Sequence, residues 1–192
     1  MTDVETSKAG GESDASRDRF NNMIAIAVAL VSAFMAVSKI KDDNIVQGMQ
    51  KAQAESVDRW NEYQARRQRW FGLELAIAQT RATQPMTPEL EKSLADWKKN
   101  AELYQKRADE AMEKAKQREA DYAAANDRDD LFDLSDAFLS VAIALFAVTA
   151  LVRVHWLFGA ATFLAAVGMA FGVAGFNGWV WLKPDFLAAF LG

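Results

Sequence analysis

AFLSVAIALFAVTALVRVHWLFGAATFLAAVGMAFGVAGFNGWVWL, residues 137–182, decides how this chain folds. Arg153 is its only Asp, Glu, Lys or Arg. As a single helix it would run to about 70 Å at 1.5 Å per residue, more than twice the ~30 Å hydrocarbon core of a bilayer. It would also bury Arg153. Two helices, 137–152 and 156–182, joined by a tight turn at Arg153–His155 keep the charge at a surface. Trp156 stands at one end of the second helix, and Trp179 and Trp181 at the other. The 23 steps from Trp156 to Trp179 measure about 35 Å, so both ends reach the interfacial belts where Trp concentrates. A soluble hairpin of this composition would need a large core around it, which the rest of the chain does not supply.

The same pattern occurs earlier. FNNMIAIAVALVSAFMAV, residues 20–37, contains no charge, and from Met23 to Val37 only Ser32 is polar. Residues 20–40 are therefore read as transmembrane helix 1, 137–152 as helix 2 and 156–182 as helix 3. A signal peptide with a cleavage site near Ala36-Val37-Ser38 is the competing reading. The leading residues oppose it, with five acids (Asp3, Glu5, Glu12, Asp14, Asp18) against Lys8, Arg17 and Arg19. Residues 1–19 are rich in Gly, Ser and acids and are expected to be a disordered tail. Residues 183–192 are left as a short C-terminal segment. Three spans place the N-terminus and the Arg153 turn on one side. The basic residues near span ends lean towards a cytoplasmic N-terminus.

Between the first and second spans the chain changes character. Of 48 charged residues in 192, 37 fall between Lys39 and Asp136, so the mean hydropathy of −0.11 averages two solvents. The absence of Cys excludes disulfides, thiolate metal sites and a thiol nucleophile, and a single His excludes a multi-His metal site within one chain. A net charge of −4 gives no reason to expect nucleic acid.

Residues 41–126 read as a helical hairpin with its turn near 83–87. In the second arm Leu90, Leu94, Trp97, Ala101, Tyr104, Ala108, Ala111, Ala115, Arg118, Tyr122 and Ala125 alternate steps of four and three. Only Arg118 among them is neither apolar nor aromatic. Five such heptads make a coiled-coil seam, with alanines that admit a close partner. Thr87, Pro88, Glu89 and Glu91 form a helix-start signal. The first arm carries a weaker stripe, Met49, Ser56, Tyr63, Trp70 and Ile77, with Val46, Gln53, Trp60, Arg67 and Glu74 expected in the alternate seam. Each arm is about 60 Å long, and the short turn makes them antiparallel. With no Pro from Met23 to Gln84, span 1 can continue into the first arm as one helix. Residues 127–136, with five Asp, are expected to be a helix-breaking polar connector in which Ser135 caps the second span.

Candidate sites follow from these patterns. Ala161, Ala165, Gly168, Gly172 and Gly175 lie on roughly one face of span 3, and Ala25, Ala29 and Ala33 recur at steps of four in span 1. Such small faces let membrane helices approach closely, within one chain or between copies. Trp60, Tyr63, Trp70, Trp97 and Tyr104 are the candidate interaction residues of the hairpin. His155 reads as an ordinary interfacial His, and Asn177 as an amide in an interface or inter-helix hydrogen bond. The five Asp lack the spacing and Gly of a calcium loop. No nucleophile–base pair or phosphate loop stands out, so no catalytic, cofactor-binding or metal-binding residue is assigned and no cofactor is expected.

The segment Arg19–Arg67, with its Asn-Asn start and Trp60-Asn61-Glu62-Tyr63-Gln64-Ala65, resembles a family of small bacterial membrane proteins known as domain of unknown function 4337. FDLSDAFLSVAIALFAVTAL, residues 132–151, and the third span resemble it too. The resemblance implies a bacterial inner membrane and carries no activity or functional residue.

The expected fold is all-α: three transmembrane helices, with a long antiparallel coiled-coil hairpin inserted between the first and second. The expected function is that of a non-enzymatic scaffold or assembly protein in a lipid bilayer. It would act as a homo-oligomer or with a protein partner through the hairpin, and without nucleic acid. An oligomeric channel or transport component is the alternative.

Overall fold

The computed structural model describes the backbone of residues 3–182 and side chains from residue 18 onward. The expected tail at 1–19, apart from Asp18 and Arg19, and the segment 183–192 lie outside the fully described residues. Every regular element described is a helix: α1 (Asp3–Thr83), α2 (Pro88–Val152), α3 (His155–Asn177) and a 3₁₀ turn at Val180–Leu182. Each of the three α-helices holds a stretch long and apolar enough to cross a membrane. α1 is unbroken, as the absence of proline predicts.

The joints between helices have local causes. Residues 84–87 are non-helical, and Thr87 Oγ1 accepts the N–H of Leu90 at 3.2 Å, capping α2 just ahead of Pro88. α2 ends where Arg153 adopts φ +57°, its N–H still donating to the Thr149 carbonyl at 2.8 Å. An L-residue with a side chain pays about 1–2 kcal/mol in this region. Val154 is extended and α3 starts at His155. At the far end Gly178, φ +70°, closes α3 in a Schellman turn, with the Trp179 N–H on the Ala174 carbonyl at 2.9 Å.

The expected polar connector is absent. Residues 127–136 do not break the helix; α2 runs through them without interruption, and Ser135 is a buried mid-helix residue rather than a cap. Asp is a poor helix former by well under 1 kcal/mol per residue, and the stretch holds no Pro or Gly. Leu131, Phe132 and Leu134 are all buried there, so packing overrides propensity.

The chain divides into two compact units. Unit 1 combines the chain up to Val46 with that from Asn126 onward; unit 2 is Gln47–Ala125. In unit 1, Ile24 and Val31 of α1, Leu139, Ala142 and Phe146 of α2, and Ala161 and Ala165 of α3 share one core. Phe138 stacks on Phe171 at 5.7 Å, and Phe146 meets Phe158 at 5.6 Å.

In unit 2 the seam of α2 faces inward. Leu94, Ala101, Ala108, Ala111 and Ala115 are buried, Leu90, Tyr104, Tyr122 and Ala125 are half-buried, and Trp97 and Arg118 are exposed. From α1, Met49, Ser56 and Ile77 are buried and Tyr63 and Trp70 half-buried. The alternate seam of α1 differs from expectation. Gln53, Arg67 and Glu74 are exposed, whereas Ala52 is buried and Arg66 and Leu73 are half-buried. From Met49, Tyr63 and Trp70 the inward face continues three residues on, but from Ser56 it continues four on, to Trp60, and Trp60 and Val46 are half-buried as expected. Contacts between the two helices then run in opposite chain order: Glu55 with Arg118, Arg66 with Arg107, and Arg69 with Tyr104.

Candidate functional site

Two groups of residues in the described chain carry chemistry, one in each unit. In unit 2, an aromatic and basic band crosses α1. Trp60 donates its indole N–H to Glu119 at 2.7 Å and meets Tyr63 edge-on at 5.6 Å. Arg67 donates to the Tyr63 hydroxyl at 2.5 Å, and the Arg69 guanidinium lies 5.8 Å from the Tyr104 ring centroid. Glu62 binds Arg66 and, at 2.8 Å, Arg59; the Arg59 hydrogen bond holds the Glu62 carboxyl below its ordinary value. Tyr63, Arg67, Trp70 and Phe71 line one open hollow of about 480 Å³. Trp97 is the most exposed of the candidate aromatics, at 36%.

The small-residue faces of unit 1 divide. On α3, Ala161, Ala165, Gly168, Gly172 and Gly175 are all buried. A Cβ added at Gly168 would fall 2.8 Å from Leu139, at Gly172 2.7 Å from Phe34, and at Gly175 2.9 Å from Phe132. This face therefore serves packing within the chain. On α1, Ala25, Ala29 and Ala33 are exposed. Ala25 and Ala29 line an open apolar groove of about 440 Å³ with Ile143, Phe146 and Ala150 of α2.

Sequence reasoning missed the polar centre of unit 1. Lys39 and Asp42 stand at the end of the apolar part of α1, opposite the Asp-rich stretch of α2. The Asp42 side chain is only 7% exposed; its Oδ2 accepts from Lys39 Nζ at 2.7 Å. Asp129 lies within hydrogen-bonding reach of Asp42. Its burial, Asp42, and then the charges of Asp133 and Asp130 push the Asp129 carboxyl up to about 7. Oδ1 of Asp42 and Oδ1 of Asp129 are both buried without a donor, as are the hydroxyls of Ser38 and Ser135. Ser38, Asp42, Ser135 and Asp136 line one small cavity of about 10 Å³. Beside it Arg128 reaches α3, donating to the carbonyls of Gly175 at 3.2 Å and Phe176 at 3.3 Å. It thereby satisfies carbonyls at the negative end of α3.

A sequence signal for Asp42 existed. Ile24, Val31, Ser38 and Asp42 follow steps of seven, seven and four, so Asp42 continues the buried face of span 1. On α2, Asp129, Phe132 and Asp136 share a face at helical spacing. His155 meets Phe20 in a tilted ring contact at 4.6 Å, and the Asn177 amide donates to the Val173 carbonyl of its own helix at 2.8 Å rather than to another helix. Among the described residues no group of three or more His, Cys, Asp or Glu is arranged to hold a metal ion.

The family model for domain of unknown function DUF4337 matches residues 20–178, covering both units. No curated protein and no solved structure matches the chain. With the match running from the start of the first apolar stretch to the cap of α3, the chain belongs to the DUF4337 family.

Proposed function

We propose that this protein is a non-enzymatic, multi-pass membrane scaffold of the bacterial inner membrane, and that residues 41–126 form an antiparallel coiled-coil hairpin through which it assembles with partners or copies of itself. The observation that carries the reading is the inward alanine seam of α2, Ala101 to Ala115, closed by α1 contacts in opposite chain order. A helix pair this long, charged on its outer face and with an aromatic–basic band, is a surface for protein association rather than for small-molecule chemistry. The three apolar helices would hold it in lipid, with the N-terminus on the cytoplasmic side. Site-directed photo-cross-linking from residues 64, 68 and 71 in native membranes tests the reading. Discrete cross-linked species support it; monomer alone, from every position, counts against it.

A second reading has its own observation. Ala25, Ala29 and Ala33 face outward, and small residues on a lipid-facing helix favour close helix association. An oligomer closed through α1 would be a channel or transport component. Solute flux in proteoliposomes, lost on Ala29→Phe, would favour it over the scaffold.

A further inference from the structure

We propose that Asp42 and Asp129 form a proton-binding site that clasps α1 to α2 at the edge of the apolar helices, one proton being shared between the two carboxyls. Two ionised carboxylates offer only acceptors, and each would repel the other. Yet Asp42 Oδ1 and Asp129 Oδ1 are both buried with no hydrogen-bond partner among the described residues. A proton on one acid provides the missing donor, satisfies both oxygens and removes one negative charge. The geometry decides which acid carries it. Asp42 faces the Lys39 ammonium at 2.7 Å, whereas Asp129 has no ion pair of this kind among the described residues, which places the proton on Asp129. Arg128, the adjacent base, is turned towards the α3 carbonyls instead.

The neighbouring carboxylates act in the same direction, against the Lys39 ammonium. From α1, Lys39, Asp42 and Asp43 face the site, and from α2 Asp130, Asp133 and Asp136. α3 contributes no titratable side chain here, since its single one, His155, lies at its other end. The charges of Asp42, Asp133 and Asp130 favour proton retention on Asp129, in line with its raised carboxyl. The adjoining cavity suits the same chemistry. At about 10 Å³ it has room for about one water, and the hydroxyls of Ser38 and Ser135 and the Asp42 carboxylate are polar partners for it. Loss of the proton leaves two charged, part-buried carboxylates side by side, and their repulsion loosens α1 from α2. The clasp thus makes the contact between these helices sensitive to the pH of the compartment that bathes it, whatever the hairpin binds.

The test uses the full chain in lipid nanodiscs and infrared titration of the protonated-carboxyl stretch. The wild type should show this band at about pH 6 and lose it by about pH 8, releasing about one proton per chain. Asp129→Asn, whose amide donates to Asp42 as the protonated acid does, should lack the band and that proton release. Asp43→Asn should retain both. A wild type without the band at pH 6 overturns the proposal regardless of how the variants fold. A band that persists unchanged in a folded Asp129→Asn protein also overturns it.

Discussion

Gly172 shows how little room a single residue has in unit 1. A methyl group there meets Phe34 at 2.7 Å and Ser135 Oγ at 2.8 Å, while Gly159, on the same helix, has nothing within 4 Å. Gly172→Ala is expected to cost about 1–3 kcal/mol, the range for overpacking. Gly159→Ala should be neutral or slightly stabilising, because alanine is the better helix former. Thermal unfolding in detergent, followed by circular dichroism, separates the two; equal midpoints would mean that α3 does not pack as described. Arg128 is the second residue of this kind. Its guanidinium holds two carbonyls at the end of α3, and Arg128→Gln should lower stability by about 1.5–3 kcal/mol, the worth of hydrogen bonds to a charged group. The glycine spacing of α3 was visible in the sequence, but Arg128 was not. A lone Arg among aspartates reads as a local ion pair until a second helix end is brought beside it.

Among the elements, α2 teaches most. Its seam in unit 2 was legible because apolar residues recur at three and four along the whole stretch, and those alanines are the buried ones. The stretch 127–136 was misread because five Asp look like solvent-facing residues that end a helix. The periodicity that mattered was in the apolar residues between them, Leu131, Phe132 and Leu134. On α1 the weak stripe located the inward face but only part of its partner seam, Val46 and Trp60 being half-buried and Gln53, Arg67 and Glu74 exposed. Positions three and four residues beyond the stripe carry similar mixtures of polar and apolar side chains, so only contact with α2 distinguishes Ala52 from Gln53. Two element-scale outcomes follow. Gly48→Ala and Gly72→Ala, both in open space on α1, should each raise stability by about 1 kcal/mol. Ala108→Leu, by contrast, inserts bulk into a position 3% exposed and should lower it by about 1–3 kcal/mol. If Ala108→Leu is neutral in chemical denaturation, the seam of α2 is not a packed face.

For the molecule as a whole, the charged pair in unit 1 sets a pH dependence. The Asp129 carboxyl stands at about 7 in the folded chain against an ordinary value of 3.8. Between those values the folded state holds a proton that the unfolded state has released. Raising the pH through that window therefore favours unfolding, and above about 7 the contribution no longer changes. Midpoints of thermal unfolding should fall as pH rises from about 4 to about 7 on account of this group. Asp129→Asn should flatten that fall; an unchanged pH profile in the variant would show that Asp129 titrates normally.

The sequence by itself determined the solvents. Apolar runs at 20–37, 137–152 and 156–182, the charge-rich middle and the absence of internal prolines dictated helices in the right order, because hydrophobicity and backbone sterics are local properties, although α3 ends at Asn177 rather than at 182. Tertiary structure decided which faces those helices spend on one another. Gly168, Gly172 and Gly175 of α3 are buried against Leu139, Phe34 and Phe132, and Ala161 and Ala165 lie in the core of unit 1, while Ala25, Ala29 and Ala33 of α1 stay outside. Asp42 and Asp129, 87 positions apart in the chain, are brought within reach of one proton. No pattern along the chain encodes that pairing, because the energy of a buried charge depends on what the other helices place beside it.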